Sequence, residues 1–171
     1  MIELKQKDIL QFLKESNAIE GVTSRVALND AIQAWNYAFD NKSNITSKYI
    51  LKIHFLLMRT LRPDIAGKVR TCDVFIGGKR KSFISEYLLK EQIKFWLKEC
   101  NTKTMSMKSK SERESAVKDW HVKFEFLHPF EDGNGRVGRF LYQIHRIKTK
   151  LPLHIIKAGG QEQLDYYKWF K

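Results

Sequence analysis

Cysteine, proline and long apolar runs are all scarce in this 171-residue chain. Its 2 cysteines, Cys72 and Cys100, have no metal-type spacing. No export signal is visible, so both are expected as reduced thiols and the protein as cytoplasmic. Acids and lysines interrupt the apolar residues of Met1 to Leu13, which breaks any signal-peptide core. The apolar runs fall well short of the roughly 20 residues of a transmembrane helix, so no membrane partner is expected. With 3 Pro and 9 Gly, collagen-like and linker-like chains are excluded. Acidic residues are in deficit too: 19 Asp and Glu face 31 Lys and Arg, for a net charge of +12. What is present is 43% hydrophobic and 12% aromatic, enough for one domain with a packed core rather than a disordered chain.

The positive charge alone would suit nucleic acid. Its distribution does not. Lys79, Arg80 and Lys81 form one cluster and Lys103, Lys108 and Lys110 another, neither interleaved with the aromatics of a base-stacking surface. No zinc-finger, RNP or homeodomain pattern occurs, so nucleic acid is not expected as a partner.

Apolar spacing predicts a largely helical domain without internal repeats. Helices are expected over Ile2–Lys14, over Asp30–Phe39 with Asn29 as cap, over Thr46–Leu61, after Ser85, over Glu112–Leu127, over Arg136–Arg146 and over Gln161–Phe170. The polar stretch Asn101–Ser111 reads as a loop. His54 lies on the apolar stripe of its helix and reads as a satisfied core histidine. Val74, Phe75 and Ile76 precede Gly77-Gly78, with Phe83 and Ile84 beyond, which predicts a β-hairpin with a two-residue turn.

The chemistry concentrates in His128-Pro129-Phe130-Glu131-Asp132-Gly133-Asn134-Gly135-Arg136-Val137-Gly138-Arg139, which joins a buried helix to an amphipathic one. Glycines flanking an asparagine allow positive φ and close backbone approach. Amide N–H groups in such a turn, followed by a helix start, form an anion site. Arg136 and Arg139, three apart, offer two guanidinium forks for phosphate oxygens. Asp132 is a hard oxygen ligand suited to Mg²⁺. His128 can take a proton near neutral pH. An EF-hand beginning at Asp132 fails, because its fifth position is Arg136 and its twelfth Gln143. No P-loop pattern exists.

This segment resembles the signature of the Fic family, H-x-F-x-[DE]-G-N-G-R-x-x-R, with every specified position filled. The resemblance implies an all-α, Fic-like domain with one β-hairpin flap, and transfer of AMP from ATP, with Mg²⁺, to a Ser, Thr or Tyr hydroxyl of a target protein. It implies His128 as general base and Asp132 as Mg²⁺ ligand. Gly133, Asn134 and Gly135 would cradle phosphates, with Arg136 on the β- and Arg139 on the γ-phosphate. The flap, Val74, Phe75 and Ile76 with Lys81–Ile84, would align an extended target segment. Tyr166 and Tyr167 resemble an aromatic pair near the nucleotide base, or equally a packed C-terminal helix. The Doc-type branch has Lys at the place of Gly135, so Gly135 favours nucleotidyl over phosphoryl transfer.

Ser16-Asn17-Ala18-Ile19-Glu20-Gly21 resembles the family's inhibitory motif, [ST]-x-x-x-E-[GN], although Val22 stands where relatives often have Asn. The resemblance implies that Glu20, with Ser16 on the same helix, pairs with Arg139 and blocks the γ-phosphate position. Residues 1–25 are thus expected as the inhibitory segment and 26–171 as the core, within one globular unit. Self-association, removal of AMP from a modified protein, transfer of another phosphate-linked group and a non-catalytic basic binding module remain open.

Overall fold

A computed structural model describes residues 4–76, 78–104 and 107–171. Among the described residues, seven α-helices and one hairpin occur in the order α1 (Gln6–Ile19), α2 (Arg25–Asp40), α3 (Ser47–Met58), β1 (Val74–Ile76), β2 (Lys79–Lys81), α4 (Glu86–Thr104), α5 (Lys110–Leu127), α6 (Asn134–Lys148) and α7 (Gln161–Tyr167). A 3₁₀ turn, Lys168–Phe170, follows where continuous helix to Phe170 was expected. Among the described residues no helix is long and apolar enough to cross a membrane.

Helix α6 is the axis of the fold and touches α1, α2, α3 and α5. Every residue from Arg136 to Arg146 is buried, although the sequence reads as amphipathic. Several of its polar side chains are paired internally. Gln143 donates to the His154 carbonyl at 2.6 Å and accepts from its N–H at 3.0 Å, while Arg146 Nε donates to the Pro152 carbonyl at 2.6 Å. A buried polar group so paired no longer costs what an unpaired one would.

Several boundaries differ from the sequence expectation. Met1, Ile2 and Glu3 lie outside the described residues, and α1 runs past Lys14 to Ile19. It stops in a Schellman motif, where Gly21 N–H donates to Ala18 O and Val22 N–H to Asn17 O, with Gly21 at φ 69°. The cap of α2 is Ser24, whose Oγ accepts from Ala27 N–H at 3.2 Å, so Asn29 is inside the helix. Asp30 is not a helix-start acid: its carboxylate accepts from Arg59 and Thr60. The predicted loop shrinks because α4 continues to Thr104 and α5 begins in a capping box of Ser109 and Glu112.

The hairpin pairs Val74 with Lys81, Phe75 with Arg80 and Ile76 with Lys79, which leaves a two-residue turn. Gly77 lies outside the described residues, and Gly78 has φ 79°. The second strand therefore precedes the expected Lys81–Ile84. Phe83 N–H leaves the ladder and donates to Asp73 Oδ1 at 2.6 Å.

Burial of His54, His121 and His145 is expected to make the fold acid-sensitive. Burial pulls His54 down to about 4 and His121 and His145 to about 3. Their pKa values drop on folding, so below about pH 6.5 it is the unfolded chain that takes up protons. Their stabilisation is complete above that pH and declines as pH falls toward the folded values. Glu125, pushed up to about 7 by burial, works the other way. Each histidine should forfeit roughly 2 kcal/mol between about pH 7 and pH 5, so three outweigh the one carboxyl. Urea unfolding midpoints at these two pH values should fall with acid; equal midpoints would contradict this account.

Candidate active site

His128 closes α5 in the left-handed region, at φ 47° and ψ 61°, with Pro129 preventing further helix. That conformation costs a non-glycine residue about 1–2 kcal/mol. Its ring Nδ1 lies 2.9 Å from the Glu125 carbonyl. A carbonyl can only accept, so Nδ1 carries the hydrogen and Nε2 is left as the basic nitrogen. Burial holds His128 below the ordinary imidazole range, helped by the charges of Lys81 and Arg70 and opposed by the Glu125 bond. These surroundings favour the neutral form of the ring.

The following turn is braced from inside. Asn134 Oδ1 accepts from Phe130 N–H and its Nδ2 donates to Phe130 O, both at 2.9 Å. The Asn134 side chain is therefore committed to the loop, and only its backbone N–H remains for a ligand. Phe130, fully buried, stacks on His54 at 3.8 Å between centroids and 1° between planes. Gly67 N–H donates to His54 Nδ1 at 2.9 Å, so Nε2–H must donate to the Asp132 carbonyl at 3.0 Å. His54 is a core histidine, as expected, and it also fixes the motif loop. Gly133, at φ 79°, faces Met58 so closely that a Cβ would lie 2.8 Å from its sulfur.

Asp132 is exposed, and its Oδ1 accepts from Gly133 N–H at 2.5 Å. Neighbouring Glu131 is diverted into an ion pair with Arg62 at 2.9 Å. Among the described residues no three His, Cys, Asp or Glu side chains form a metal cluster. One exposed carboxylate nonetheless fits Mg²⁺, which keeps several waters and takes most protein-independent ligands from substrate phosphates.

Helix α6 starts at Asn134, so the N–H groups of its first turn have no carbonyl one turn back. Arg136 is buried, with Nη2 on the weakly accepting Met58 sulfur at 2.9 Å and Nε without a partner. Such a guanidinium is under-satisfied and suits an anion. Arg139, by contrast, is engaged. Its Nε donates to Ser16 Oγ at 3.0 Å, and Nη2 donates to Ser16 O at 2.9 Å and to Glu20 Oε1 at 2.7 Å. Arg139 is 3% exposed and Glu20 38%. Gly135 makes room for this contact, because a Cβ there would run into Glu20 Oε1.

The tyrosines divide. Tyr166 packs in the interior, the second of its two expected readings: it is 3% exposed, its hydroxyl meets His121 Nε2 at 2.9 Å, and its ring flanks Arg139 at 5.9 Å. Tyr167 is exposed, and its hydroxyl accepts from Gln163 at 3.0 Å. In the flap Val74 is buried, Ile76 half-buried and Phe75 68% exposed.

Three site residues escaped sequence reasoning: His54 as a loop brace, Arg70, which donates to the His128 carbonyl at 2.9 Å, and Glu125, buried near Arg139. Their partners are backbone carbonyls or distant charges, for which no short-range pattern exists.

Residues 44–145 match the family described as Fic/DOC family. The chain is 28% identical over 146 residues to "Protein adenylyltransferase fic-1" of Caenorhabditis briggsae, covering 83% of this chain and 27% of that protein. It is 25% identical over 158 residues to "Protein adenylyltransferase Fic" of Drosophila melanogaster, covering 92% and 30%. The chain thus spans less than a third of these curated relatives. Among solved structures it resembles Fic-1 from C. elegans, with TM-score 0.74, 20% identity and coverage of 96% of this chain and 55% of that one. A Fic domain containing signaling protein from Bacteroides thetaiotaomicron aligns with TM-score 0.72 and 18% identity, over 95% and 70%. These two likenesses bear on the fold.

Proposed function

The chain belongs to the Fic/DOC family, and from that premise we propose that it is a protein adenylyltransferase whose resting form is inhibited by Glu20. The observation that carries the reading is the left-handed His128, with Nδ1–H on the Glu125 carbonyl and Nε2 left basic, at the mouth of a turn with two buried arginines. The names of the relatives, protein adenylyltransferases, support the same chemistry.

In the proposed reaction, ATP phosphates lie on the backbone N–H groups of Asn134 and Gly135 at the start of α6, while Gly133 N–H stays on Asp132 Oδ1. Arg136 takes the β-phosphate and completes its unpartnered Nε. Arg139, once released by Glu20, takes the γ-phosphate. His128 Nε2 removes the proton from a target Ser, Thr or Tyr hydroxyl. The hydroxyl oxygen bonds to the α-phosphorus as the bond from that phosphorus to the bridging oxygen breaks, and pyrophosphate departs. Mg²⁺ bound with the nucleotide would supply neutralisation of phosphate charge, and Asp132 would hold it. The flap would pair with the backbone of the target, which positions a hydroxyl without reading much sequence.

Asp132→Asn keeps an oxygen that can accept from Gly133 N–H but removes the anionic charge. Calorimetric titration with ATP should then give nearly the same affinity with and without Mg²⁺, whereas the parent chain should bind more tightly with Mg²⁺. An undiminished Mg²⁺ effect in the variant would remove Asp132 from this role.

A further inference from the structure

Arg70 is 2% exposed and lies where the hairpin meets the turn of His128. Its Nη1 donates to the Cys72 carbonyl at 2.7 Å and its Nη2 to the Ser82 carbonyl at 3.2 Å. Cys72 precedes β1 and Ser82 follows β2, so one planar fork holds both feet of the hairpin. The same guanidinium donates from Nε to the His128 carbonyl at 2.9 Å, and the Arg70 backbone N–H donates to Pro129 O at 2.9 Å. A second tie runs the same way, from Lys81 Nζ to the Phe126 carbonyl in the last turn of α5. A two-stranded hairpin is marginal by itself, so what anchors it decides where it sits. Here both ties run to the segment that carries His128.

We propose that Arg70 is a positioning residue for AMP transfer: it clamps both feet of the flap to the His128 carbonyl, so that a target strand paired to the flap presents its hydroxyl in register with the imidazole. The proposal rests on the reading of the chain as a transferase and of the hairpin as its docking flap. A fixed relation between nucleophile and base matters because small misplacements of reacting groups cost large factors in rate. Arginine suits the task, since its rigid fork reaches three carbonyls where an ammonium reaches fewer.

The groups that face His128 also point this way. Lys81 on β2 and Arg70 disfavour its protonated form, Glu20 at the end of α1 favours it, and the Glu125 carbonyl on α5 fixes its tautomer. Arg70 thereby acts on the geometry and the charge state of the same ring.

The test compares Arg70→Lys and Arg70→Gln with the parent, each also in a Glu20→Gly background. Both variants should bind ATP as the parent does, because Arg70 touches none of the residues placed at the phosphates. Amides of residues 72–83 should exchange about tenfold faster, as expected for the loss of roughly one hydrogen bond's worth of anchoring, while the helices keep their protection. Self-labelling from labelled ATP should fall about tenfold or more in both variants. By NMR, the imidazole pKa of His128 should rise in Arg70→Gln, which lacks the cation, and stay near the parent value in Arg70→Lys. Parent-like flap exchange and labelling in Arg70→Lys would overturn the proposal, and so would a loss of protection spread evenly over the helices. If Arg70→Gln does not fold, Arg70→Lys carries the decision. If the Glu20→Gly chain labels nothing, the transferase reading falls, and exchange with NMR still decides whether Arg70 couples the flap to His128.

Discussion

Replacing His128 by alanine in a Glu20→Gly background is expected to slow AMP transfer by about 10²–10⁴-fold, the usual loss for a general base. The fold should persist, because the His128 bonds to the rest of the protein run largely through its backbone. Its N–H donates to Phe124 O and its carbonyl accepts from Arg70 Nε. The ring adds one bond, Nδ1–H to the Glu125 carbonyl three residues back. ATP affinity should change little, since the proposed anion site consists of the α6 start and the two arginines. Labelled-ATP transfer and calorimetric ATP binding on the same preparation separate the two effects. Transfer at the undiminished rate would mean that the proton leaves by another route and that the half-buried imidazole is structural.

Glu20→Gly is expected to raise AMP transfer by about ten- to a hundred-fold. The Arg139 guanidinium is spent on Ser16 and Glu20, with the Glu20 bond at 2.7 Å. While that pair stands, Nη2 is not available to a γ-phosphate, and bound ATP lacks one of its anchors. Removing the carboxylate frees a charge-assisted bond of about 1.5–3 kcal/mol. At about 1.4 kcal/mol per factor of ten, that gives the stated range in productive occupancy. The Ser16 contacts survive the substitution and keep Arg139 oriented. The double variant Glu20→Gly, Arg139→Ala should lose the gain, because the freed guanidinium is then missing. Self-labelling of the four chains, parent, two singles and double, reads out both effects. Equal labelling by the parent and Glu20→Gly would reduce the Glu20 contact to a helix-end ion pair.

Much of the fold was legible because its signals are short-range. The apolar stripe of Ile50, Ile53 and Leu57 marks α3, and the pair Gly77-Gly78 between β-type runs marks the hairpin. Boundaries were less legible. Asn29 is as good a cap as Ser24 by residue type, and only the tertiary bonds of Asp30 to Arg59 and Thr60 show that this acid belongs inside the helix. The Lys81–Ile84 strand was displaced because Asp73 captures Phe83 N–H. The sequence left Tyr166 open between a place near the base and ordinary packing, since its neighbourhood says nothing of His121, whose ring its hydroxyl meets across 45 residues of chain.

The sequence by itself determined the turn from His128 to Arg139. Proline after histidine, glycines around Asn134 and arginines three apart specify local conformation through sterics and helix geometry, which need no distant partner. Tertiary structure decided which groups answer those residues, and only for Glu20 did a motif resemblance name the partner beforehand. Glu20 meets Arg139 across 119 positions of chain, and Arg70 meets His128 across 58. Such meetings follow from how α1 and the flap pack against α5 and α6. No spacing along the chain encodes them, because the partners are far apart in sequence and are brought within hydrogen-bond reach only by the packing of the elements that carry them.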